Sequence, residues 1–186
     1  MTIPTLMNNT NKQEYVSRLK KVYSTLSQVT GKVVAENGSP VNWATDRVSV
    51  ADLFKKHLQI TKDCGTGAGC FWTGKHKFLN NNDDRSFDSY TNVYKVLLQD
   101  STQIAFAAIH DCQSSVYGMD NVCMTIWADV NGDKGPNQWG RDLFMFVLTK
   151  DGFYPTGCDT GSTDCTANGK GYTCTCKVLR EGTINY

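Results

Sequence analysis

The sequence predicts an α+β fold in which a long N-terminal α-helix packs on an antiparallel sheet of four to five strands. Three observations indicate this class. Apolar residues recur at helical spacing as far as Glu36, the period shortens to about two residues after Tyr90, and eight cysteines follow residue 60. With 186 residues, the chain is long enough to build its own core. We expect a helix over residues 1–37 and a globular head over 38–186, with a disulfide-rich C-terminal region.

The first predicted element is an amphipathic helix from about Asn8 to Glu36, a stretch without proline. Its apolar residues are spaced by four, three, four, three and four positions: Tyr15, Leu19, Val22, Leu26, Val29 and Val33. Such a helix is about 40 Å long, so part of it is expected to project beyond a 20 kDa head. The opposite face is basic and is expected to be solvated. Gly38 and Pro40 then break the helix.

A second, shorter helix and a series of strands are predicted next. Ser49 and Asp52 have the spacing of a capping box, which indicates a helix from Val50 to about Leu58. Alternating apolar residues predict the strands Asn92–Leu98, Gln103–His110, Val122–Val130, Leu143–Leu148 and Tyr172–Leu179. Because short polar segments connect several of them, we expect an antiparallel meander.

The charge balance excludes some classes of function. Lys plus Arg number 19 and Asp plus Glu number 18, so no nucleic-acid partner is predicted. An enzyme is not predicted either, since no hydrolase or zinc-protease motif occurs. His110 and Cys112 are close enough in sequence to suggest a catalytic Cys/His pair, but Cys112 is expected to be oxidised by pairing with Cys123.

The cysteines predict four disulfides in an extracytoplasmic protein, because disulfides persist in oxidising compartments. The eight residues are Cys64, Cys70, Cys112, Cys123, Cys158, Cys165, Cys174 and Cys176. Proximity favours Cys64–Cys70 and Cys112–Cys123. The pair Cys174 and Cys176 is expected to share a strand face and to bond Cys158 and Cys165, in either of two arrangements.

One loop between predicted strands is rich in oxygen ligands for a hard cation. Its candidate calcium ligands are Asp129, Asn131, Asp133, Asn137 and Asp142. The start of the loop resembles that of an EF-hand, but Lys134 and Gly140 stand where that pattern needs glycine and glutamate. The alternative is a hairpin loop whose Asx side chains bond the local backbone.

Three stretches carry a resemblance to the type IV pilin and type II secretion pseudopilin family. Residues 2–6 (TIPTL) resemble the end of the family's apolar helical segment. Residues 127–146 resemble its Asp-Val-Asn-Gly, Gly-Pro-Asn and Gly-x-Asp segment, and residues 172–186 resemble its terminal strand. The resemblance spans the chain in order.

The resemblance implies a non-catalytic structural subunit of a type IV pilus or pseudopilus, assembled through the N-terminal helix with copies of itself or related subunits. Family members carry a leader that is cleaved, an N-terminus that is methylated, and an apolar span inserted in the inner membrane before assembly. We therefore expect this chain to be an N-terminally truncated head. Calcium binding in some pseudopilins adds weight to the loop hypothesis. The alternative is a secreted carbohydrate- or protein-binding module that uses exposed Trp72, Trp139 and the 62–89 loop.

Overall fold

The computed structural model describes residues 3–43, 46–158 and 164–186, with the side chains of residues 3–9 and 108–110 outside the description. Three α-helices are present in this part of the chain: α1 (Ile3–Asn37), α2 (Arg47–Lys55) and α3 (Thr175–Glu181). The strands are β1 (Ile60–Gly65), β2 (Tyr94–Leu98), β3 (Gln103–Val116), β4 (Met119–Asp129), β5 (Leu143–Thr149) and β6 (Gly152–Pro155). None of the helices in these ranges combines the length and apolar character needed to cross a membrane.

The helix α1 is one continuous element of 35 residues, about 50 Å long. Its buried stripe is Val16, Leu19, Val22, Leu26, Val29 and Val33. Tyr15, predicted to head the stripe, is only half-buried, and Val16 takes the buried position beside it. The helix ends as predicted, because Gly38 adopts a positive φ of 75° and its N–H bonds the Val34 carbonyl.

The start of α2 differs from the predicted capping box. Asp46 is the N-cap, and its carboxylate accepts a hydrogen bond from the backbone N–H of Ser49 at 2.9 Å. Ser49 therefore lies inside the first turn. Asp52 instead forms an ion pair with Lys55. The helix packs through Val50, Ala51 and Phe54, which are its buried residues.

The sheet is an antiparallel meander with strand order β1-β2-β3-β4-β5-β6. The prediction of four to five strands was too low, because β1 is largely polar and β6 has only four residues, so neither shows a clear alternation. The predicted strand Tyr172–Leu179 is wrong, since this segment forms α3. Gly182 ends α3 with a positive φ of 66°, and a glycine at this position is a helix-ending signal that the sequence contains.

The sheet has an apolar layer on each face. On one face, α1 and α2 pack on the strand residues Phe106, Ile126 and Phe146. On the other, long connections bring Phe71, Phe87 and Trp139 against the odd-numbered residues of β4 and β5. The coarse prediction of an α+β fold with the helix stripe packed on one sheet face is therefore confirmed.

All eight cysteines form disulfides. Cys64–Cys70 and Cys112–Cys123 pair as proximity predicted. Of the two arrangements left open at the C-terminal end, the structure has Cys158–Cys176 and Cys165–Cys174. Cys174 and Cys176 do not share a strand face as predicted, because Cys174 is the N-cap of α3 and Cys176 lies in its first turn.

Candidate cation site

The predicted calcium loop connects β4 to β5 and begins and ends on an aspartate. Asp129 is the last residue of β4, and Asp142 immediately precedes β5. The register pairs Asp129 with Leu143, so the two aspartates lie at the same end of the sheet. The backbone N–H of Val130 bonds the Asp142 carbonyl at 2.9 Å and closes the neck of the loop.

Gly132 allows the loop to turn against its neighbour. Its φ is 66°, and a Cβ at this position would lie 2.8 Å from the Ser101 carbonyl oxygen. Only glycine avoids both the left-handed strain and this close approach. Glycine at this position is therefore required for two physical reasons.

The carboxylate of Asp142 organises the second half of the loop. Its two oxygens accept hydrogen bonds from the backbone N–H groups of Asn137 and Gln138, both at 2.7 Å. The side chain has no exposed surface. These bonds match the hairpin-loop alternative, in which Asx side chains bond the local backbone.

Other oxygens of the loop are buried without a partner. One oxygen of Asp129, Oδ1, accepts from the Asn131 backbone N–H at 3.2 Å, but Oδ2 has no hydrogen-bond partner. The side-chain oxygens of Asn131 and Asn137 are also buried and unpaired. A buried polar atom without a partner costs about 1–3 kcal/mol, so three oxygens in one loop form a place where a cation or an ordered water would be strongly stabilised.

The two carboxylates also lack a compensating positive charge. Within the described residues, no lysine or arginine forms an ion pair with Asp129 or Asp142. Burial, together with repulsion from Asp142, raises the pKa of Asp129 well above its usual range. Burial, as the largest effect, raises the pKa of Asp142 to about 6, although the backbone bonds of the loop act in the opposite direction.

Two residues beside the loop were not assigned to it from the sequence. His76 is buried, neither ring nitrogen has a partner, and its Nε2 lies 3.9 Å from Asp129 Oδ2. Burial lowers the pKa of His76 to about 4, so the ring is neutral at pH 7 and does not offset the carboxylates. Gln103 donates to Asp133 Oδ1 at 2.8 Å, and its own side-chain oxygen is buried and unpaired. Both residues are distant in sequence, and no local motif marks them.

The structure therefore brings four of the five predicted ligands into a buried cluster and leaves Asp133 exposed at its edge. In the described part of the chain, no group of three or more His, Cys, Asp or Glu side chains is arranged to hold a metal ion. The cluster instead combines two carboxylates with amide oxygens, which are the ligands that Ca²⁺ accepts and softer metals do not prefer. The residues present fit a hard cation.

The loop also contacts the long helix. Tyr15 Oη donates to the Gly135 carbonyl at 3.1 Å, and Arg18 Nη1 donates to the Val130 carbonyl at 3.4 Å. Arg18 bonds the Asp100 carbonyl as well, at 3.3 Å. The conformation of the loop therefore affects how the N-terminal half of α1 is held.

The other candidate residues have different surroundings from those expected. Trp139, predicted to be an exposed contact residue, is 1% exposed and belongs to the second core layer. Trp72 is half-buried. Cys112 is oxidised, so it cannot act as a nucleophile, and the side chain of His110 lies outside the described residues.

Comparisons with known proteins show the family but no function. No curated protein matches the chain, and no solved structure matches it. Residues 5–172 match the family described as "Family of unknown function (DUF6613)", which covers most of the chain. The chain therefore belongs to the DUF6613 family.

Proposed function

We propose that this protein is a non-catalytic structural subunit of a pilin-like extracytoplasmic filament, with α1 as the element through which subunits assemble. The observation that carries this proposal is the extent of α1. It runs unbroken from Ile3 to Asn37, whereas its buried stripe, among the side chains that the structure describes, begins at Val16. Before the stripe, Asn11, Gln13 and Glu14 are exposed, and the proposal assigns this end of α1 to contacts with other subunits.

Two further features support a filament subunit. The order of elements, a long helix followed by an antiparallel meander, agrees with the resemblance to pilins and pseudopilins. Four disulfides are typical of proteins in oxidising compartments. The proposal includes an earlier stage in which a longer form of the protein is inserted in the inner membrane through an apolar segment preceding α1.

Photo-crosslinking in the cells that make the protein tests this assembly. A photoreactive phenylalanine analogue is placed at Gln13 or at Ser17, both exposed at the N-terminal end of α1. Irradiation is expected to give a ladder of multimers, because neighbouring subunits would contact this helix. The matched control is the same analogue at Lys150, exposed on the turn between β5 and β6.

Electron microscopy of material sheared from the cell surface provides the second measurement, with antibodies against the head as the label. Labelled filaments together with a helix-dependent ladder support the proposal. A protein that remains monomeric in both experiments contradicts it.

We also infer that the 129–142 loop binds one Ca²⁺, which would fix the loop against α1. This inference is supported by three buried unpaired oxygens and by the two uncompensated carboxylates. Adding Ca²⁺ to metal-stripped protein is expected to raise the melting temperature, whereas Mg²⁺ is expected to have less effect because it loses its water ligands reluctantly. An unchanged melting temperature at millimolar Ca²⁺ contradicts the inference, and it leaves the filament proposal standing.

A further inference from the structure

A small aromatic pocket opens on the face of the sheet opposite α1. It has a volume of about 140 Å³. Rings from four separate segments line it: Tyr90, Tyr117, Trp127 and Tyr172. Trp127 belongs to β4, and the others come from loops or from a hairpin end, so the tertiary fold assembles the pocket from residues that are distant in sequence.

Tyr117 occupies an unfavourable backbone position at the edge of this pocket. Val116 pairs with Met119, so Tyr117 and Gly118 form a two-residue hairpin turn. Their φ angles are 53° and 77°, and turns with two positive φ values prefer asparagine or aspartate followed by glycine. A bulky residue in this region is strained, and such strain is concentrated at ligand-binding sites. Tyr117 is also 37% exposed, so burial in the core does not offset this backbone strain.

The Tyr117 ring is placed by contacts with the pocket. It lies 5.5 Å from the ring of Tyr172, which in turn lies 4.8 Å from Trp139. Tyr90 and Trp127 lie nearly parallel on another side, with 13° between their planes. The pocket therefore presents several aromatic surfaces at different angles within a small volume.

The polar groups at the rim are balanced in charge. Arg85 lies over the ring of Tyr90, 4.8 Å from its centre, and its Nε is 3.3 Å from Asp84 Oδ1. The other oxygen of Asp84 accepts from the indole N–H of Trp139 at 3.0 Å. The rim thus offers the guanidinium of Arg85, whose side chain is 51% exposed, as a donor. The Asp84 carboxylate is buried with both oxygens engaged and balances the charge of Arg85, which suits an uncharged ligand that carries hydroxyl groups.

We propose that this pocket binds a single sugar ring of a neutral saccharide. The apolar face of the ring would stack on the Tyr117 and Tyr172 side, and its hydroxyls would bond the exposed guanidinium of Arg85. The volume is suited to one ring, and an oligosaccharide would extend from the pocket into solvent. This site goes beyond the filament proposal, since it needs only the folded head.

Titration of the ¹⁵N-labelled chain with cellotriose, maltotriose and chitotriose tests the site. The indole N–H of Trp127 has no hydrogen-bond partner and is a direct reporter, assigned by its loss in Trp127→Phe. At least one saccharide is expected to shift this resonance saturably. Tyr117→Asn is expected to weaken binding at least tenfold, while its melting temperature stays the same or rises because asparagine favours the left-handed turn.

The matched control is Tyr154→Asn, since Tyr154 is 39% exposed on β6 and is not part of the pocket lining. This variant should bind the saccharide as the parent does. The proposal is overturned if none of the three saccharides shifts the Trp127 resonance. It is also overturned if only the peptide Gly-Tyr-Gly or tetramethylammonium does so, or if Tyr117→Asn binds like the parent.

Discussion

Asp129 is the residue whose chemistry is least satisfied by the structure. Its Oδ2 is buried without a partner, and the neighbouring Asp142 adds a second negative charge. A buried carboxylate is tolerated when a cation or several hydrogen-bond donors compensate it. Neither is present at Oδ2 among the described residues, so this atom is where a bound cation would have the largest effect.

The effect of Asp129→Asn on the free energy of unfolding is expected to change sign when calcium is added. In metal-stripped protein at pH 8, the variant should raise the free energy of unfolding by about 1–3 kcal/mol, because it removes an uncompensated buried charge. With millimolar Ca²⁺ the parent should be the more stable of the two. Denaturant unfolding with and without Ca²⁺ measures both differences.

The control for this pair of measurements is Asp151→Asn, an isosteric change at an exposed turn residue. It should alter neither stability nor the calcium response. If Asp129→Asn is less stable than the parent in the absence of metal, the carboxylate is compensated in a way that the structure does not show.

At the scale of elements, α1 depends on tertiary packing for its position. Its stripe contributes six buried side chains to the main core, two of which have no exposed surface: Leu19 and Val33. Most helical stability in proteins comes from such packing rather than from intrinsic propensity. The spacing of these residues therefore specifies both the helix and the face that meets the sheet.

Leu26→Ala is expected to lower the free energy of unfolding by about 2–5 kcal/mol, because Leu26 is 1% exposed in the centre of the stripe and truncation leaves a cavity. Ser17→Ala, at an exposed position of the same helix, should change it by less than about 0.5 kcal/mol. Equal effects from both variants would show that α1 is not packed through this face.

The short helix α3 depends on covalent links. It has seven residues, fewer than an isolated helix needs to be stable in water, and disulfides bond both Cys174 and Cys176. Replacing Cys158 and Cys176 by serine is expected to lower the free energy of unfolding by about 3 kcal/mol on the chain-entropy account. The same change at Cys64 and Cys70 removes a disulfide that closes a much shorter loop, so it should cost about 2 kcal/mol.

Calorimetry of both double variants under non-reducing conditions measures these costs. A melting temperature unchanged by loss of Cys158–Cys176 would show that packing alone holds α3 in place.

For the whole molecule, the buried carboxylate pair makes stability depend on pH. The folded protein raises the pKa of Asp142 from 3.8 to about 6, and burial also raises the pKa of Asp129 well above its usual range. A raised pKa means that the folded state favours the protonated form, so the contribution to stability is present at acid pH and is lost as pH rises through the folded pKa. The two carboxyl groups titrate as a pair, so this contribution to stability is lost in more than one step as the pH rises.

We expect the free energy of unfolding of the metal-stripped parent to fall relative to that of Asp129→Asn as the pH rises from 3.8, the ordinary carboxyl value, through about 6. His76, whose pKa is lowered to about 4 by burial, opposes this trend below pH 6.5 but is common to both proteins. Calcium should abolish this fall in the free energy of unfolding, because the bound ion would compensate the two carboxylates in place of a proton. A difference that is independent of pH would contradict the raised pKa values.

Much of the fold follows from local sequence patterns. Apolar residues spaced by three and four positions predicted α1, and alternation predicted β2, β4 and β5 to within three residues of their ends. The start of β3 was also predicted, but the strand continues to Val116 rather than ending at His110. The same alternation failed at residues 172–179, because Cys174, Cys176 and Val178 alternate in sequence and yet lie in or beside a short helix. The polar β1 and the four-residue β6 are strands because β2 and β5 supply their backbone hydrogen-bond partners. No local sequence pattern indicates this pairing.

The sequence alone determined the long helix, the antiparallel order of the central strands and the number of disulfides, because each depends on spacing within a few residues or on a count. Only the tertiary structure decided that Cys158 bonds Cys176, that Trp139 is buried, that His76 lies beside Asp129, and that Tyr117 borders an aromatic pocket. The physical reason is that these contacts join residues far apart in the chain. They form only after the sheet and its connections have closed around a common core.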